Sequence, residues 1–127
     1  LDVSDEPPLD AAKRELAEEA DLTAGRWDVL SEFYTSPGGS SEVIRVYLAR
    51  DLAPTDSAFE RTEEEADIEV RWVPLDEVID AVLARRVLNP SLAIGSLAAQ
   101  ASRERGWQSL GDANSPWPRH PKWAARL

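Results

Sequence analysis

The feature that most constrains this chain is an acidic helix predicted over residues 9–20. Pro7 and Pro8 stand at its start, where proline suits a helix entry, and Asp10 places negative charge in the first turn, where the helix dipole favours it. An apolar stripe follows the helical period, at Leu9, Ala12, Leu16 and Ala20. We therefore expect a helix that packs one face against a sheet and presents the other to solvent.

Three carboxylates stand together on this helix. Glu15, Glu18 and Glu19 lie at positions i, i+3 and i+4, so their side chains share one face. Like charges at this spacing repel one another by about 0.2–0.5 kcal/mol for each neighbouring pair. Converging carboxylate oxygens are the hard ligands that Mg²⁺ and Mn²⁺ prefer. Spacing alone favours the simpler interpretation, a solvated acidic surface, because Glu-rich helices are common.

A longer motif surrounds these carboxylates. Glu6 is followed after seven residues by Arg14, and the run R-E-L-x-E-E-x-D-L continues to Leu22. This arrangement resembles the Nudix box, which has a glycine before its first glutamate and a second glycine where this chain has Asp21. Aspartate tolerates the left-handed conformation that such a glycine adopts after a helix. Because the chain starts at Leu1, inside the motif, we expect it to be truncated at its N-terminus.

Composition limits the classes of protein that remain. A length of 127 residues suits one domain, and the absence of cysteine excludes disulfides, thiolate catalysis and zinc–thiolate sites. Residues 1–80 carry a net charge of −15 and residues 81–127 a net charge of +5. The acidic body argues against nucleic-acid and membrane partners, although bound divalent ions would still admit a phosphate substrate. No signal peptide is recognisable, so a cytoplasmic location is expected.

Periodicity predicts alternating strands and helices after the box. A Gly-rich loop at residues 36–41 joins two strands, residues 51–62 are polar and aperiodic and are predicted to be a loop, and an acidic run at 63–67 precedes a third strand. The predicted elements are strands over residues 27–35, 42–52 and 68–73 and helices over residues 75–86 and 91–102.

The C-terminal residues 104–127 form a segment rich in Trp and Pro without periodicity. Two interpretations remain open for it: a disordered tail, or a segment that crosses the domain surface with Trp107, Trp117 and Trp123 as anchors. His120, the only histidine, is expected to be exposed and to take no part in chemistry.

The resemblance implies a fold and a reaction. A Nudix domain is an α/β/α sandwich with a mixed sheet, and this α/β (α+β) pattern is similar to its C-terminal two-thirds over residues 1–103, with the N-terminal strands missing. Segments 36–42, 63–70 and 89–94 look most like ADP-ribose pyrophosphatases. Those enzymes use Mg²⁺ or Mn²⁺, act as dimers and split nucleoside diphosphates linked to a further group. The expected reaction is hydrolysis of ADP-ribose to AMP and ribose 5-phosphate.

The resemblance also implies metal-site roles for the box residues. Glu15, Glu18 and Glu19 would be metal ligands, with Glu15 and Glu19 the firmest pair. Arg14 would orient the carboxylates through a charge-assisted hydrogen bond, with Glu6 as its partner.

The remaining roles fall on loops. Either Glu64 or Glu65 would act as the general base or position the attacking water, from a loop that can close over the site. Glu42, which follows the glycine loop, would contact the distal ribose, and Gly38 of that loop would also belong to the substrate-binding site.

Two rival hypotheses belong to other classes. One is a Nudix-fold domain that binds or regulates without catalysis, which the aspartate at position 21 favours. The other is an acidic interaction domain that recruits a partner through its Trp-rich tail. We also expect residues 1–127 alone to be inactive on ADP-ribose and poorly soluble or oligomeric, because the absence of the strands that precede the box would leave strand edges and apolar faces uncovered.

Overall fold

The computed structural model describes residues 6–56 and 68–120. Within these ranges three helices and three strands follow one another along the chain, which confirms the mixed α/β class. Their bounds are α1 Pro8–Ala20, β1 Leu22–Tyr34, β2 Val43–Pro54, α2 Leu75–Leu83, α3 Pro90–Glu104 and β3 Gly111–Asp112. None of these helices is both long and apolar enough to cross a lipid bilayer.

Strands β1 and β2 form a long hairpin. Near the loop, the Thr35 amide donates to the Glu42 carbonyl at 3.2 Å, and at the other end the Thr55 amide donates to the Asp21 carbonyl at 2.9 Å. Pairs that run in opposite sequence order define an antiparallel ladder. The described part of the sheet is completed by β3, in the order β2-β1-β3.

The C-terminal segment contributes to the sheet and to the core. Strand β3 pairs antiparallel with β1, and the buried Trp117 packs with Val43 of β2. His120 is half-buried, with its ring centroid 4.6 Å from that of Trp117, so the expectation of a solvent-exposed histidine is wrong. This packing could not be predicted from periodicity, because a strand of two residues and a single buried tryptophan leave no repeating pattern in the sequence.

The described chain divides into two compact units. The first contains residues 6–27, 49–56 and 68–71, and the second contains residues 28–48 and 72–120. In the first unit Leu9 is the buried residue of α1. In the second, α2 contacts α3, and a Cβ at Gly95 of α3 would lie 3.3 Å from Val46 of β2. Gly95 therefore permits the close approach of α3 to β2.

Two expectations about strands are wrong. Residues 68–73 alternate in polarity, yet they form no strand, and the Trp72 side chain is exposed. Alternating polarity gives a segment one polar and one apolar face. A strand also needs a neighbouring strand to hydrogen-bond its backbone groups, and no strand within residues 6–56 or 68–120 pairs with residues 68–73. Conversely, β2 continues to Pro54, two residues past the predicted strand end at 52, although residues 51–62 are predicted to be a loop.

At the exposed end of β2, residues 51–54, the two strands of the hairpin come close together. Asp51 takes a left-handed φ of 60°, and a Cβ added to Gly25 would lie 3.2 Å from the Asp51 Cβ. A glycine on β1 therefore leaves room for the aspartate on β2. Strand β1 starts at Leu22, five residues before the predicted start at residue 27, so Gly25 lies inside the strand.

The helix bounds differ from the expected ones at their ends. Helix α2 stops at Leu83 because Ala84 caps it and Arg85 turns to a φ of 63°. Helix α3 starts at Pro90, and the Asn89 side chain accepts a hydrogen bond from the Leu92 amide at 3.0 Å. This N-cap is the one that the Asn-Pro pair predicts.

Candidate functional site

Helix α1 presents the carboxylates that the sequence singled out. The helix starts after Pro7 without a side-chain cap, and its apolar side is anchored by the buried Leu9. Glu15 and Glu19 are exposed and Glu18 is half-buried, so the acidic face of the helix is open to solvent. The helix supplies regular spacing, and the burial of its opposite side fixes which way these carboxylates point.

Arg14 ties this face to the residue that precedes the helix. Its Nε donates to both carboxylate oxygens of Glu6 at 3.1 Å, and its Nη2 donates to Glu6 Oε1 at 2.9 Å. Nη1 donates to Glu18 Oε1 at 3.0 Å, and Glu15 Oε1 lies 3.9 Å from Nη2. The structure thus brings Glu6, Arg14, Glu15 and Glu18 together in one network. One guanidinium orients carboxylates from two places in the chain, as a planar fork of donors is suited to do.

The same contacts fix the charge state of the network. The hydrogen bond from Arg14 lowers the pKa of the Glu6 carboxyl below its ordinary value of 4.5, and burial opposes this effect only in part. The hydrogen bond to Glu6 in turn raises the pKa of the Arg14 guanidinium. Both groups are charged at neutral pH. The Arg14 charge is shared among several carboxylates, so the face keeps a negative surplus.

The donor chemistry of this face suits a hard divalent cation. The Glu15 and Glu18 side chains are 49% and 35% exposed, so an ion in solution can reach their oxygens. Across residues 6–56 and 68–120, however, no three His, Cys, Asp or Glu side chains already form a group that would hold a metal ion. The carboxylates fit Mg²⁺ or Mn²⁺ by chemical type, and further ligands would have to come from the substrate, water or other acidic residues.

Helix α1 ends on the aspartate that departs from the family motif. Asp21 adopts a φ of 56° and a ψ of 39°, and its amide donates to the Ala17 carbonyl at 3.0 Å. This is the left-handed C-terminal cap for which glycine is the usual residue. The aspartate takes the backbone conformation that a glycine would adopt, so the helix end keeps its course.

The two loop carboxylates expected to act on water, Glu64 and Glu65, lie outside the described residues. Their roles stay predictions.

The residues expected to contact the sugar lie in the second unit, at the end of the hairpin. Glu42 Oε1 accepts a hydrogen bond from Thr35 Oγ1 at 2.9 Å, and the Glu42 amide donates to Ser40 Oγ at 3.0 Å. Gly38 is exposed, with no atom within 4 Å of the place where a Cβ would stand. The Glu42 carboxylate is therefore held in a defined direction at the loop, and it remains accessible to a ligand.

Sequence reasoning missed the strongest polar centre of the second unit. The Arg45 side chain is 2% exposed, and its Nε donates to Glu32 Oε2 at 2.7 Å. Nη1 and Nη2 donate to the carbonyls of Ser115 and Pro116 at 3.0 and 2.9 Å. The guanidinium carbon lies 4.8 Å from the centroid of the Trp117 ring, within the range of a cation–π contact. We call these five residues the Arg45 clasp.

One signal in the sequence pointed to the clasp. Arg45 interrupts the apolar run from Val43 to Leu48, at a position whose neighbours two residues away, Val43 and Tyr47, share its face of the strand. A cation among core-facing residues requires a buried partner. Burial also raises the pKa of the Tyr47 hydroxyl, an effect that the nearby Arg45 guanidinium partly opposes.

Comparison with known proteins gives consistent results. The NUDIX domain family matches residues 3–92. An ADP-ribose pyrophosphatase of Mycobacterium tuberculosis is 39% identical over 127 residues, which is 99% of this chain and 60% of that protein. An ADP-ribose pyrophosphatase of Bacillus subtilis is 36% identical over 88 residues, which is 69% of this chain and 47% of that protein.

A third relative carries a different name. The methanol dehydrogenase activator of Bacillus methanolicus is 30% identical over 89 residues, 70% of this chain and 48% of that protein. The chain thus spans between about half and 60% of the length of these relatives.

Proposed function

The chain belongs to the Nudix family, and from that premise we propose that it hydrolyses a nucleoside diphosphate linked to a further group, with a divalent cation. The proposed substrate is ADP-ribose and the products are AMP and ribose 5-phosphate. The observation that carries the proposal is the open acidic face of α1, on which Arg14 holds Glu6 and Glu18 in place. Two relatives named ADP-ribose pyrophosphatase support the choice of substrate.

The metal would be held by Glu15, Glu18 and Glu19. A bound Mg²⁺ or Mn²⁺ neutralises charge on the phosphate oxygens and lowers the pKa of water. The protein's contribution is the fixed direction of the carboxylates. Arg14 holds Glu18 by one hydrogen bond and Glu6 by three, which limits the rotamers that the helix face can adopt.

The chemical step moves one proton and breaks one bond. The oxygen of a water molecule bonds to a phosphorus of the pyrophosphate, and the bond from that phosphorus to the bridging oxygen breaks. Glu64 or Glu65 takes the proton of the attacking water or fixes its position. Glu42 accepts hydrogen bonds from the hydroxyls of the distal ribose, near Gly38, whose surroundings are open.

The test is hydrolysis in ¹⁸O-labelled water. The full-length protein is incubated with ADP-ribose while Mg²⁺ is titrated, and AMP release and the position of the label are measured. Release that requires Mg²⁺ and places ¹⁸O on one phosphate product supports the proposal. Release of free phosphate, cleavage at the glycosidic bond, or turnover that is unchanged by a chelator would overturn it.

A second candidate is a Nudix-fold domain that binds the nucleotide without hydrolysis. The observation that favours it is Asp21, which holds the left-handed position at the end of the motif where the family has glycine. Calorimetry separates the two candidates, because the binding domain would take up ADP-ribose stoichiometrically and release no AMP.

We also propose that the active form is a cytoplasmic homodimer without nucleic-acid or membrane partners. Sedimentation velocity at several concentrations tests the association state, and a monomer that retains full turnover would overturn this part of the proposal.

A further inference from the structure

The Arg45 clasp joins three parts of the second unit that are far apart in sequence. Arg45 lies on β2, Glu32 lies on β1, and Ser115, Pro116 and Trp117 come from the segment after β3, some 70 residues further along the chain. Each nitrogen of the guanidinium has an acceptor, and Trp117 lies against its face. A buried arginine with a full set of acceptors holds its partners in one geometry, because any shift leaves a buried charge unsatisfied.

The clasp lies next to the hairpin end that carries the sugar-contacting candidates. Val43 packs with Trp117 and directly follows Glu42 in the chain. Glu32 is three residues from Thr35, which bonds Glu42 through both its amide and its hydroxyl. The clasp therefore holds the residue that follows Glu42 and a strand residue that precedes Thr35.

The segment held by the clasp also supplies a wall of a pocket at this end. The pocket has a volume of about 190 Å³ and is lined by Glu32, Phe33, Tyr34, Val43 and Arg119. Arg119 comes from the same segment as Trp117, two residues later. If Arg45 were replaced, β1 and β2 would still form their sides of the pocket. The side that Arg119 forms would lose support, because its segment is held to β2 by the hydrogen bonds from Arg45 to the Ser115 and Pro116 carbonyls.

We infer that Arg45 is a positioning residue for substrate specificity: by fixing residues 115–119 against the hairpin, it sets the place of Glu42 and the shape of the adjoining pocket, which receive the distal sugar. This inference rests on the proposed function. It adds a residue that does not touch the substrate and a segment outside the matched domain, residues 3–92.

The experiment compares two substrates in Arg45→Lys and Trp117→Phe variants. One substrate is ADP-ribose, and the other is an ADP ester of a simple alcohol, which lacks the distal ribose. We expect KM for ADP-ribose to rise about tenfold, as for one weakened hydrogen bond to the substrate, with kcat within about twofold of the parent. KM for the alcohol ester should not change, and the Mg²⁺ midpoint should stay the same.

Arg103→Lys is the matched control, because Arg103 and Asp76 form an ion pair of the same 2.7 Å length on the surface of the same unit. It should leave both KM values unchanged. If Arg45→Lys does not fold, the Trp117→Phe variant carries the test, because it keeps the ion pair and changes only the ring against which Arg45 lies.

The outcomes separate this inference from the function on which it rests. Absence of AMP release by the parent protein overturns both. An active parent whose variants change KM equally for the two substrates, or lose kcat without a change in KM, retains the proposed function and overturns the role of Arg45. Hydrogen exchange gives a readout that needs no turnover, since the Thr35 amide should exchange faster in the variants while the amides of β3 and α3 keep their rates. Unchanged exchange at Thr35 would also overturn the role of Arg45.

Discussion

Two arginines organise the two units of this protein in opposite ways. The Arg14 side chain is 26% exposed and serves carboxylates that lie within eight residues of it. The Arg45 side chain is 2% exposed and combines one carboxylate with two backbone carbonyls about 70 residues away. Local and long-range contacts with the same side-chain type thus give an open cluster in one unit and a closed one in the other.

The two arginines differ in whether their surroundings leave a net charge that can bind a ligand or neutralise it within the fold. Around Arg14 the carboxylates outnumber the cation, so negative charge is left for an incoming metal ion. Around Arg45 one cation meets one anion and its other donors meet neutral carbonyls, so no charge is left over. We therefore expect substitutions in the open cluster to affect kcat, and substitutions in the clasp to affect stability and, through the shape of the pocket, KM.

The largest expected effect is the loss of turnover when the open cluster loses charge. In the full-length protein, Glu15→Gln and Glu19→Gln should abolish AMP release, because each removes a proposed metal ligand, while the fold persists. Thermal stability without metal should hold or rise, since repulsion on the helix face decreases. Near-parental activity of either variant at saturating Mg²⁺ would show that the ligand assignment is wrong.

The next effect sharpens the comparison by separating rate from metal binding. Glu64→Gln or Glu65→Gln should lower kcat by about 10²–10⁴-fold, the usual scale for a positioned acid or base. The Mg²⁺ midpoint should change little in that variant. If the midpoint shifts strongly while kcat stays normal, the residue is a ligand and belongs with the helix carboxylates.

Substitution in the clasp should lower the stability of the protein, whereas substitution of Glu15 or Glu19 in the open cluster should leave it unchanged or raise it. Arg45→Met leaves the Glu32 carboxylate without its buried partner and should lower the free energy of unfolding by about 3–5 kcal/mol. The surface pair offers the control, since Arg103→Met should change it by less than about 1 kcal/mol. Urea unfolding of both variants gives the comparison, and equal losses would mean that burial does not distinguish the two ion pairs.

A smaller effect is expected at the end of α1. Asp21→Gly replaces an L-residue at a φ of 56° and should raise the free energy of unfolding by about 1 kcal/mol or less. If AMP release stays at the parental rate, the aspartate is compatible with catalysis. A marked gain in turnover would instead mean that the departure from the family motif weakens the enzyme.

The smallest effect concerns the pH dependence of the open cluster. Because the pKa of Glu6 is lowered in the folded state, its stabilisation is complete above the ordinary value of 4.5 and is lost as the pH falls through the lowered value. The stability difference between the parent and Glu6→Gln should therefore be constant from pH 7 to about pH 5.5 and decrease below the ordinary pKa. A difference that grows towards low pH would contradict the ion pair with Arg14.

The open cluster was predictable because its residues are local in sequence. A helix period and a fixed motif are enough to place Glu15, Glu18 and Glu19 on one face and to bring Arg14 to Glu6. The clasp was not predictable in the same way, because the partners of Arg45 are backbone carbonyls, which every residue has, at a distance of 70 positions. Only the presence of a charge inside an apolar strand indicated that such partners must exist.

The strands illustrate the same limit. Gly25 and residues 53–54 fall outside the strands predicted from the sequence, yet both lie inside the hairpin, where the Thr55 amide donates to the Asp21 carbonyl and the Thr23 hydroxyl to the Ala53 carbonyl. Residues 68–73 have the alternation of a strand and do not form one. Amino-acid composition indicates which secondary structures a segment can adopt, whereas strand formation also depends on whether another strand lies beside it.

The crossing of Gly25 and Asp51 also restricts how this protein can diverge. A methyl group at position 25 would meet the side chain of Asp51, while the Asp51 carbonyl, at 3.6 Å, is at an ordinary contact distance. Replacing Asp51 with glycine would remove that obstacle and relieve the left-handed strain at the same site. Alanine at position 25 requires Asp51 to yield by a few tenths of an ångström, so it should cost more stability beside aspartate than beside glycine at position 51. The two positions are therefore coupled, and Asp51→Gly followed by Gly25→Ala is the less costly order of substitution.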